Sequence, residues 1–404
     1  MPSYLSPGVF VEEISSGPRP IQAVGTSTAG FVGVAPNPGA HLDEAVAINN
    51  WAQFVREYVR DGDASTDLSN AVYGFFLNGG SRCYVVAIKA GTPIAAKDKG
   101  LKLLEEIDEI AIIAAPGMTD AASYDALLTS AETMKDRFAI LDGPESVDDV
   151  EALTRVADPG SGAASPPASG GGSAPAPKSK TAAGARPRNS DGGYGAYYFP
   201  ELRVMDPLGD KIVSVPPSGH MAGIYARTDA KRGVQKTPAN EIVYGALSLT
   251  YNVTTAEQDV LNPKGVNCIR FFSRDGVRVW GGRTLAPEGD DFVYIAQRRL
   301  FNMVEESIAQ STRWVVFEPN DTPLWKMIER DCRAFLSMLH RQGVFAGPID
   351  KAFFVKCDAE TNPPEVVDAG RVVTQIGLAT LRPAEFVVFE IGQSQDGSTT
   401  LTAA

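Results

Sequence analysis

Four short apolar runs near the start of the chain limit what it can fold into more than any other feature. They are "TAGFVGVAP" (Thr28–Pro36), "RCYVVAIKA" (Arg82–Ala90), "EIAIIAAPG" (Glu109–Gly117) and "RFAILDGP" (Arg137–Pro144). Each reads as a strand. The first is closed by Pro36 and Pro38, and the third is apolar enough throughout to suit a central strand covered on both faces. Helical spacing fills the gaps. "NWAQFVREYV" (Asn50–Val59) sets Trp51, Phe54, Val55 and Tyr58 at i, i+3, i+4 and i+7, with Asn49 or Asn50 as cap. A second helix through "LSNAVYGFFLNGG" stops at Gly79-Gly80, and a third lies near Asp125–Met134. This alternation predicts an α/β (mixed α+β) fold. At 404 residues the chain is long enough for two or three domains.

The rest of the chain divides by composition. Asp158–Gly193 has no aromatic residue and almost no large aliphatic one, so it reads as a flexible surface loop that cannot offset the entropy of ordering. "YGAYYFPELRVMDP" resumes strand patterning after it. Farther on, "YIAQRRLFNMVEESIAQST" carries Leu300, Met303, Val304 and Ile308 on one helical face, with Arg298, Glu305 and Glu306 outside it. "TPLWKMIERDCRAFLSMLHRQG" (Thr322–Gly343) has Pro323 in its first turn, a stripe through Leu324, Ile328, Phe335 and Leu339, and Gly343 as its stop. "AFFVKCD" then reads as a strand.

Both ends of the sequence are β-prone. After Pro7-Gly8, Val9 and Val11 point one way and Phe10 the other; Ala384–Gln393 runs through Phe386, Val387, Val388 and Phe389. Free apolar edges are a hazard for a lone subunit. These seven residues are therefore expected to add as strands to the sheets of neighbours. Ser15–Pro20 and Leu381–Pro383 would serve as hinges.

Chemistry of other kinds finds little support. A net charge of −12 argues against nucleic acid or an anionic membrane as the main partner. Cys83, Cys268, Cys332 and Cys357 are scattered, as are His41, His220 and His340; buried free thiols fit better than a zinc site. The N-terminus lacks the pattern of a secretory signal, so the chain is expected to be made and folded in the cytoplasm. Asp61, Asp63, Ser65 and Asp67 begin like a calcium loop, but Thr66 and Val72 stand where glycine and glutamate are needed. The polar stretch His220–Asn240 could be cast as a catalytic loop, with Ser218, His220 and Asp229 as a triad. Residues so close in sequence seldom meet the geometry, and no nucleophile-elbow, zincin or phosphate-loop motif occurs. Turns and salt bridges are the expected content, with no cofactor, no metal and no enzymatic activity.

A set of segments then becomes telling as a set. "SPGVFVEEI", "GFVG", "FFLNGGSRCYVV", "FAILDGP", "AYYFPELRVMDP", "VPPSGHMAGIYARTDAKRGVQKTPAN", "LNPKGVNCIRFF", "VRVWGGRTL", "FEPNDTPLW" and "PAEFVVFEI" follow one another from about Ser6 to Ile391. In that order they resemble the tail sheath protein family of contractile phage tails and related contractile injection systems. "YYFPEL" (Tyr197–Leu202) departs slightly from the family's usual "YYPW", and the compact length is closer to phage-tail-like particles than to long phage sheaths.

The resemblance implies a multi-domain sheath subunit: an N-terminal β-arm over 1–20, an outer α/β domain over 21–235 carrying the 158–193 loop, a C-terminal α/β core domain over 236–383 facing an inner tube, and a C-terminal β-arm over 384–404. It implies stacked sixfold rings in a helical homo-oligomer. An inner tube protein, a baseplate and a tail terminator or cap would be its partners. Direct membrane insertion is not part of it. Arms exchanged between neighbours would stay paired while the sheath contracts and drives the tube through a target envelope. Assembly would be in the bacterial cytoplasm, in a particle or virion that can be released. The sheath of a phage or prophage is the alternative, and an α/β enzyme with an atypical site a remote one. Within the signature, Arg227, Asp229, Arg232, Lys236 and Asn240 would fix loops and contacts by charge-assisted bonds and a turn.

Overall fold

The computed structural model describes residues 20–157 and 184–386, together with the backbone of two strands at 389–393 and 399–403. The described residues form two compact units. The larger comprises Val24–Glu306 with Thr380–Ala404; the smaller comprises Ser307–Ala379 with the described part of Met1–Ala23.

The larger unit is built on one sheet. Strands β1 (Ala29–Gly33), β2 (Ala45–Ile48), β3 (Cys83–Ala87), β4 (Ile112–Ala114), β5 (Phe138–Asp142) and β6 (Gly195–Phe199) belong to it. Next, β7 (Leu202–Met205), β8 (Ile212–Val215) and β9 (Ala246–Leu249) make a separate antiparallel sheet in the order β8-β7-β9. Strands β10 (Val266–Phe272) and β11 (Gly276–Trp280) complete the large sheet, whose order is β11-β10-β6-β5-β4-β1-β3-β2. Its central pairs are parallel, and only the outermost pairs, β2 with β3 and β10 with β11, are antiparallel.

Parallel neighbours need crossovers, and helices supply them. These are α1 (Trp51–Tyr58), α2 (Asp67–Leu77), α3 (Leu101–Leu104), α4 (Ala121–Met134), α5 (Ser218–Arg232) and α6 (Thr255–Leu261). A seventh, α7 (Ile295–Ser311), contains the boundary between the units. The sheet is covered on both faces, which explains the unbroken apolar runs. In β4, Ile112 and Ala114 join Phe54, Phe75, Met221 and Tyr225 on one side. Ile113 and Ala115 join Leu104, Leu127, Leu128 and Leu261 on the other. Each Leu, Ile, Phe or Met among them contributes about 1.5–3 kcal/mol by leaving water.

Local signals act as their chemistry requires. The Asn50 side chain accepts from the Gln53 amide at 2.8 Å and starts α1. Thr66 and Ser69 form a reciprocal capping box that starts α2, with Asp67 at its first position. The acidic stretch before it turns through Asp63, whose carboxylate takes the Arg60 amide at 2.8 Å.

The smaller unit holds α8 (Thr322–Arg341), α9 (Ile349–Ala352), β12 (Phe353–Lys356), α10 (Pro364–Asp368) and β13 (Gln375–Leu378). Leu324, Ile328, Phe335 and Leu339 bury one face of α8, Asp321 caps it, and Gly343 follows it with φ +75°. β12 and β13 pair antiparallel as a two-stranded sheet. In the larger unit, β14 (Phe389–Gln393) and β15 (Thr399–Ala403) pair with each other.

Three expectations meet a different arrangement. The division between compact units falls at Glu306/Ser307, whereas the sequence suggested 235/236; the latter lies in the larger unit because β10 returns to the central sheet beside β6. Residues 184–193, grouped by composition with the loop, are packed: Ser190 is fully buried, and Arg188 pairs with Asp125 at 2.6 Å and Glu132 at 2.8 Å. The preceding 158–183 lie outside the described residues. Arg298, placed outside the α7 stripe, is buried against Phe292 and Tyr194, 4.2 and 4.5 Å from their ring centres, because an aromatic cage can receive a guanidinium.

Candidate assembly site

The stretch expected to consist of turns is mostly α5, and every residue from Ser218 to Thr228 is buried. Small residues make that possible. A Cβ on Gly219 would fall 2.3 Å from the Ala71 Cα, one on Gly223 2.4 Å from the Phe75 carbonyl oxygen, and one on Gly74 of the facing α2 2.3 Å from the His220 ring. The two helices therefore approach backbone to backbone.

Polar groups on α5 sit in separate environments. The Ser218 amide and hydroxyl both donate to the Asp142 carboxylate at 2.7 Å, and the Gly117 amide adds a third bond at 3.2 Å. Burial pushes the Asp142 pKa up to about 7 against those bonds. His220 lies buried with neither ring nitrogen bonded, and burial lowers its pKa to about 4. Asp229 faces Arg299, which donates to it twice, at 3.0 and 2.6 Å, while the Thr26 hydroxyl donates at 2.6 Å. Ser218, His220 and Asp229 thus have separate environments and form no triad.

The remaining signature residues differ in role. Arg227 lies 4.3 Å from the centre of the Tyr244 ring and donates to Asn78 at 3.2 Å and to the Ile242 carbonyl at 2.5 Å, tying α5 to the end of α2 and the chain before β9. Lys236 donates to the Thr237 and Ala239 carbonyls at 2.5 and 3.0 Å. Burial lowers its pKa; Glu241 opposes the shift and Arg232 adds to it. Asn240 turns with φ +58° and is held by β11: its amide donates to the Val279 carbonyl at 2.7 Å, and its own carbonyl accepts from Arg278 at 2.9 Å. Arg232 is exposed at the end of α5, where its carbonyl receives the Gln235 side chain at 2.9 Å.

Of the residues expected to exchange strands, Val9, Phe10, Val11, Val387 and Val388 lie outside the described residues, and Phe389 is described only as the first backbone position of β14. Phe386 is 75% exposed. The residue before it, missed in the sequence, is firmly held. Glu385 accepts from Arg283 at 2.9 and 2.8 Å, from Asn262 at 2.6 Å and from Tyr294 at 2.9 Å. Burial would raise its pKa, but these bonds outweigh burial and lower it. Its partners are 91 to 123 residues away along the chain, so no local pattern could reveal them.

The smaller unit carries a short sheet of its own. Among the described residues, β12 and β13 pair only with each other, so each has an outer edge without a sheet partner. Phe354, on the open face of the pair, is exposed and lies across Gly377. A two-stranded sheet is marginal in water and gains from further strands.

Comparison with known proteins gives this arrangement its context. A model of the phage tail sheath protein central domain matches residues 95–285, and one of the phage tail sheath C-terminal domain matches residues 288–394. The chain belongs to the phage tail sheath family.

Its likeness to solved members of contractile systems runs almost end to end. The helical sheath of the anti-feeding prophage (AFP), in its contracted state, is 29% identical with a TM-score of 0.75, over 97% of this chain and 100% of that one. The sheath complex of PVC, an extracellular contractile injection system, also contracted, is 27% identical with a TM-score of 0.76, over 98% and 99% respectively. The tail sheath protein of Salmonella phage ViI is 28% identical over 190 residues, 45% of this chain and 29% of that protein. A putative prophage major tail sheath protein of Pseudomonas aeruginosa (strain UCBPP-PA14) is 26% identical over 198 residues, 48% of this chain and 49% of that protein. The matches thus span at most about half the length of these two phage-type relatives. Among the described residues no helix is long and apolar enough to cross a membrane.

Proposed function

We propose that this chain is the subunit of a contractile sheath in a phage-tail-like injection particle. It polymerises as stacked sixfold rings into a helical cylinder around an inner tube. Contraction of that cylinder drives the tube through a target envelope. The observation that carries this reading is the end-to-end likeness to two contractile sheaths, at 29% and 27% identity. A phage or prophage tail is the second reading, favoured by the curated relatives, which match over only part of their length.

The physical basis is donated strands. The N-terminal segment with Val9, Phe10 and Val11 and the C-terminal segment from Phe386 to Phe389 act as arms, and the open edges of β12 and β13 receive the arms of neighbours. Each main-chain hydrogen bond gained contributes about 0.5–1.5 kcal/mol net. Each large apolar side chain covered contributes about 1.5–3 kcal/mol. Ordering a residue costs about 1–2 kcal/mol, which the bonds and burial of a docked arm offset. A contact of donor to unlike acceptor repeats without closing and generates a helical filament.

No catalytic step is required. The extended assembly stores the energy and releases it once, when a baseplate triggers contraction, and a terminator caps the far end. Arg232 and its exposed neighbours on α5 are free to contact other subunits. The particle assembles in the bacterial cytoplasm before any release.

Electron microscopy tests the proposal. The protein alone should give hollow, striated cylinders of one diameter, and with its tube protein a second, longer form. Deleting 1–14 or 387–404 should abolish ordered cylinders while leaving a folded subunit. Monodisperse particles from the intact chain under every condition would sink it.

A further inference from the structure

We infer that Glu385 is the point at which the C-terminal arm is fastened to its own subunit, so that tension from a neighbour passes into the central sheet through Arg283. This rests on the strand-exchange reading and adds to it the residue that sets where the arm begins. The segment leading to the arm is tethered twice. Gln297 of α7 donates to the Thr380 hydroxyl at 2.8 Å, and five residues later Glu385 receives its four bonds. Immediately beyond, Phe386 is exposed. The fastened segment thus ends at the carboxylate.

The fastening does not stop at Arg283. The Arg283 amide donates to the Asn267 side chain at 2.8 Å, and its carbonyl accepts from the same side chain at 2.7 Å. Asn267 is fully buried in β10 and donates also to the Tyr197 carbonyl of β6 at 3.2 Å. Close approach is enforced beside it: a Cβ on Gly281 would fall 2.7 Å from the Asn267 Cα. Force on the arm root is therefore carried by a paired carboxylate and guanidinium, then by a bracketed backbone, to two strands of the large sheet. Two parallel charge-assisted bonds resist both sliding and rotation, which a lone apolar contact does not. In this chain Glu385 is a positioning residue for assembly.

The test uses the full chain carrying Glu385→Gln, which keeps size and removes charge, and, separately, Tyr294→Phe, which removes one bond only. Limited proteolysis of the unpolymerised subunit with a non-specific protease should cut within 380–386 roughly tenfold faster or more in E385Q, with the central sheet still protected. Cylinders of E385Q should come apart at lower urea than wild type, and those of Y294F in between, a loss larger than the fall in thermal stability of the free subunits. An Arg188→Ala control, remote from the arm, should lower subunit stability without this selective loss of cylinders. Wild-type cleavage rates at 380–386 in E385Q, or cylinders as resistant as wild type, overturn the inference. Cylinders that persist without residues 387–404 overturn the strand-exchange reading itself.

Discussion

Single residues carry the electrostatic structure, and burial fixes their signs. Asp229 and Arg299 satisfy each other deep in the larger unit. Asp229→Ala leaves the guanidinium without its counter-charge and should destabilise by about 3–5 kcal/mol, whereas the double change with Arg299→Met should recover most of it; denaturant titration of both reads the difference. Glu201 runs the other way. Burial, with Asp142, Glu145 and Asp67 nearby, raises its pKa to about 8, far above an unfolded glutamate. A raised carboxyl adds stability at pH values below its unfolded pKa and loses it as pH rises through the folded one. Glu201→Gln should therefore flatten the decline in melting temperature between about pH 4.5 and 8. Glu385, with a lowered pKa, shows the opposite sign: its share is present at neutral pH and lost on acidification below the ordinary glutamate range. The charged pattern of 227–236 drew attention because it sets five ionic residues in ten positions, and Arg227, Asp229 and Lys236 do find partners within the subunit, whereas the Arg232 side chain is exposed. Glu385 drew none, since its partners lie in distant parts of the chain.

Among the elements, α5 shows how a buried helix can escape notice. A helix apolar on one face announces itself by its stripe, but one enclosed on all sides has none. Here Gly219 and Gly223, poor helix formers in isolation, are required by the contact with α2. Gly219→Ala should force the helices apart and cost at least the roughly 1–3 kcal/mol typical of overpacking, seen as a lower melting temperature with α-helical content retained. By contrast, β1, β4 and β5 were read correctly because continuous apolar runs between turn residues leave few alternatives to a central strand. The capped helices α1 and α8 were equally plain. Residues 184–193 were misread for a compositional reason: glycine, serine and arginine look mobile until Glu132, Asp125 and the backbone of Lys264 supply partners.

For the molecule as a whole, the alternation of strands and helices predicted the α/β layer but not the limits of its parts. Strand β10 joins β6 across a long stretch of intervening chain, and contact across such a distance has no local signature. The ordered family segments gave what periodicity could not, the expectation of a polymer. In the proposed assembly, strands leave a subunit from its two chain ends, and the edges that receive them belong to β12 and β13. A cylinder joined in this way is polar. At one terminus it displays receiving edges with nothing in them, at the other strands with nowhere to go. No subunit added to either terminus removes the mismatch, so the cylinder cannot measure its own length. In that assembly a ruler must come from outside the sheath, and the plugs at the two termini must be different molecules.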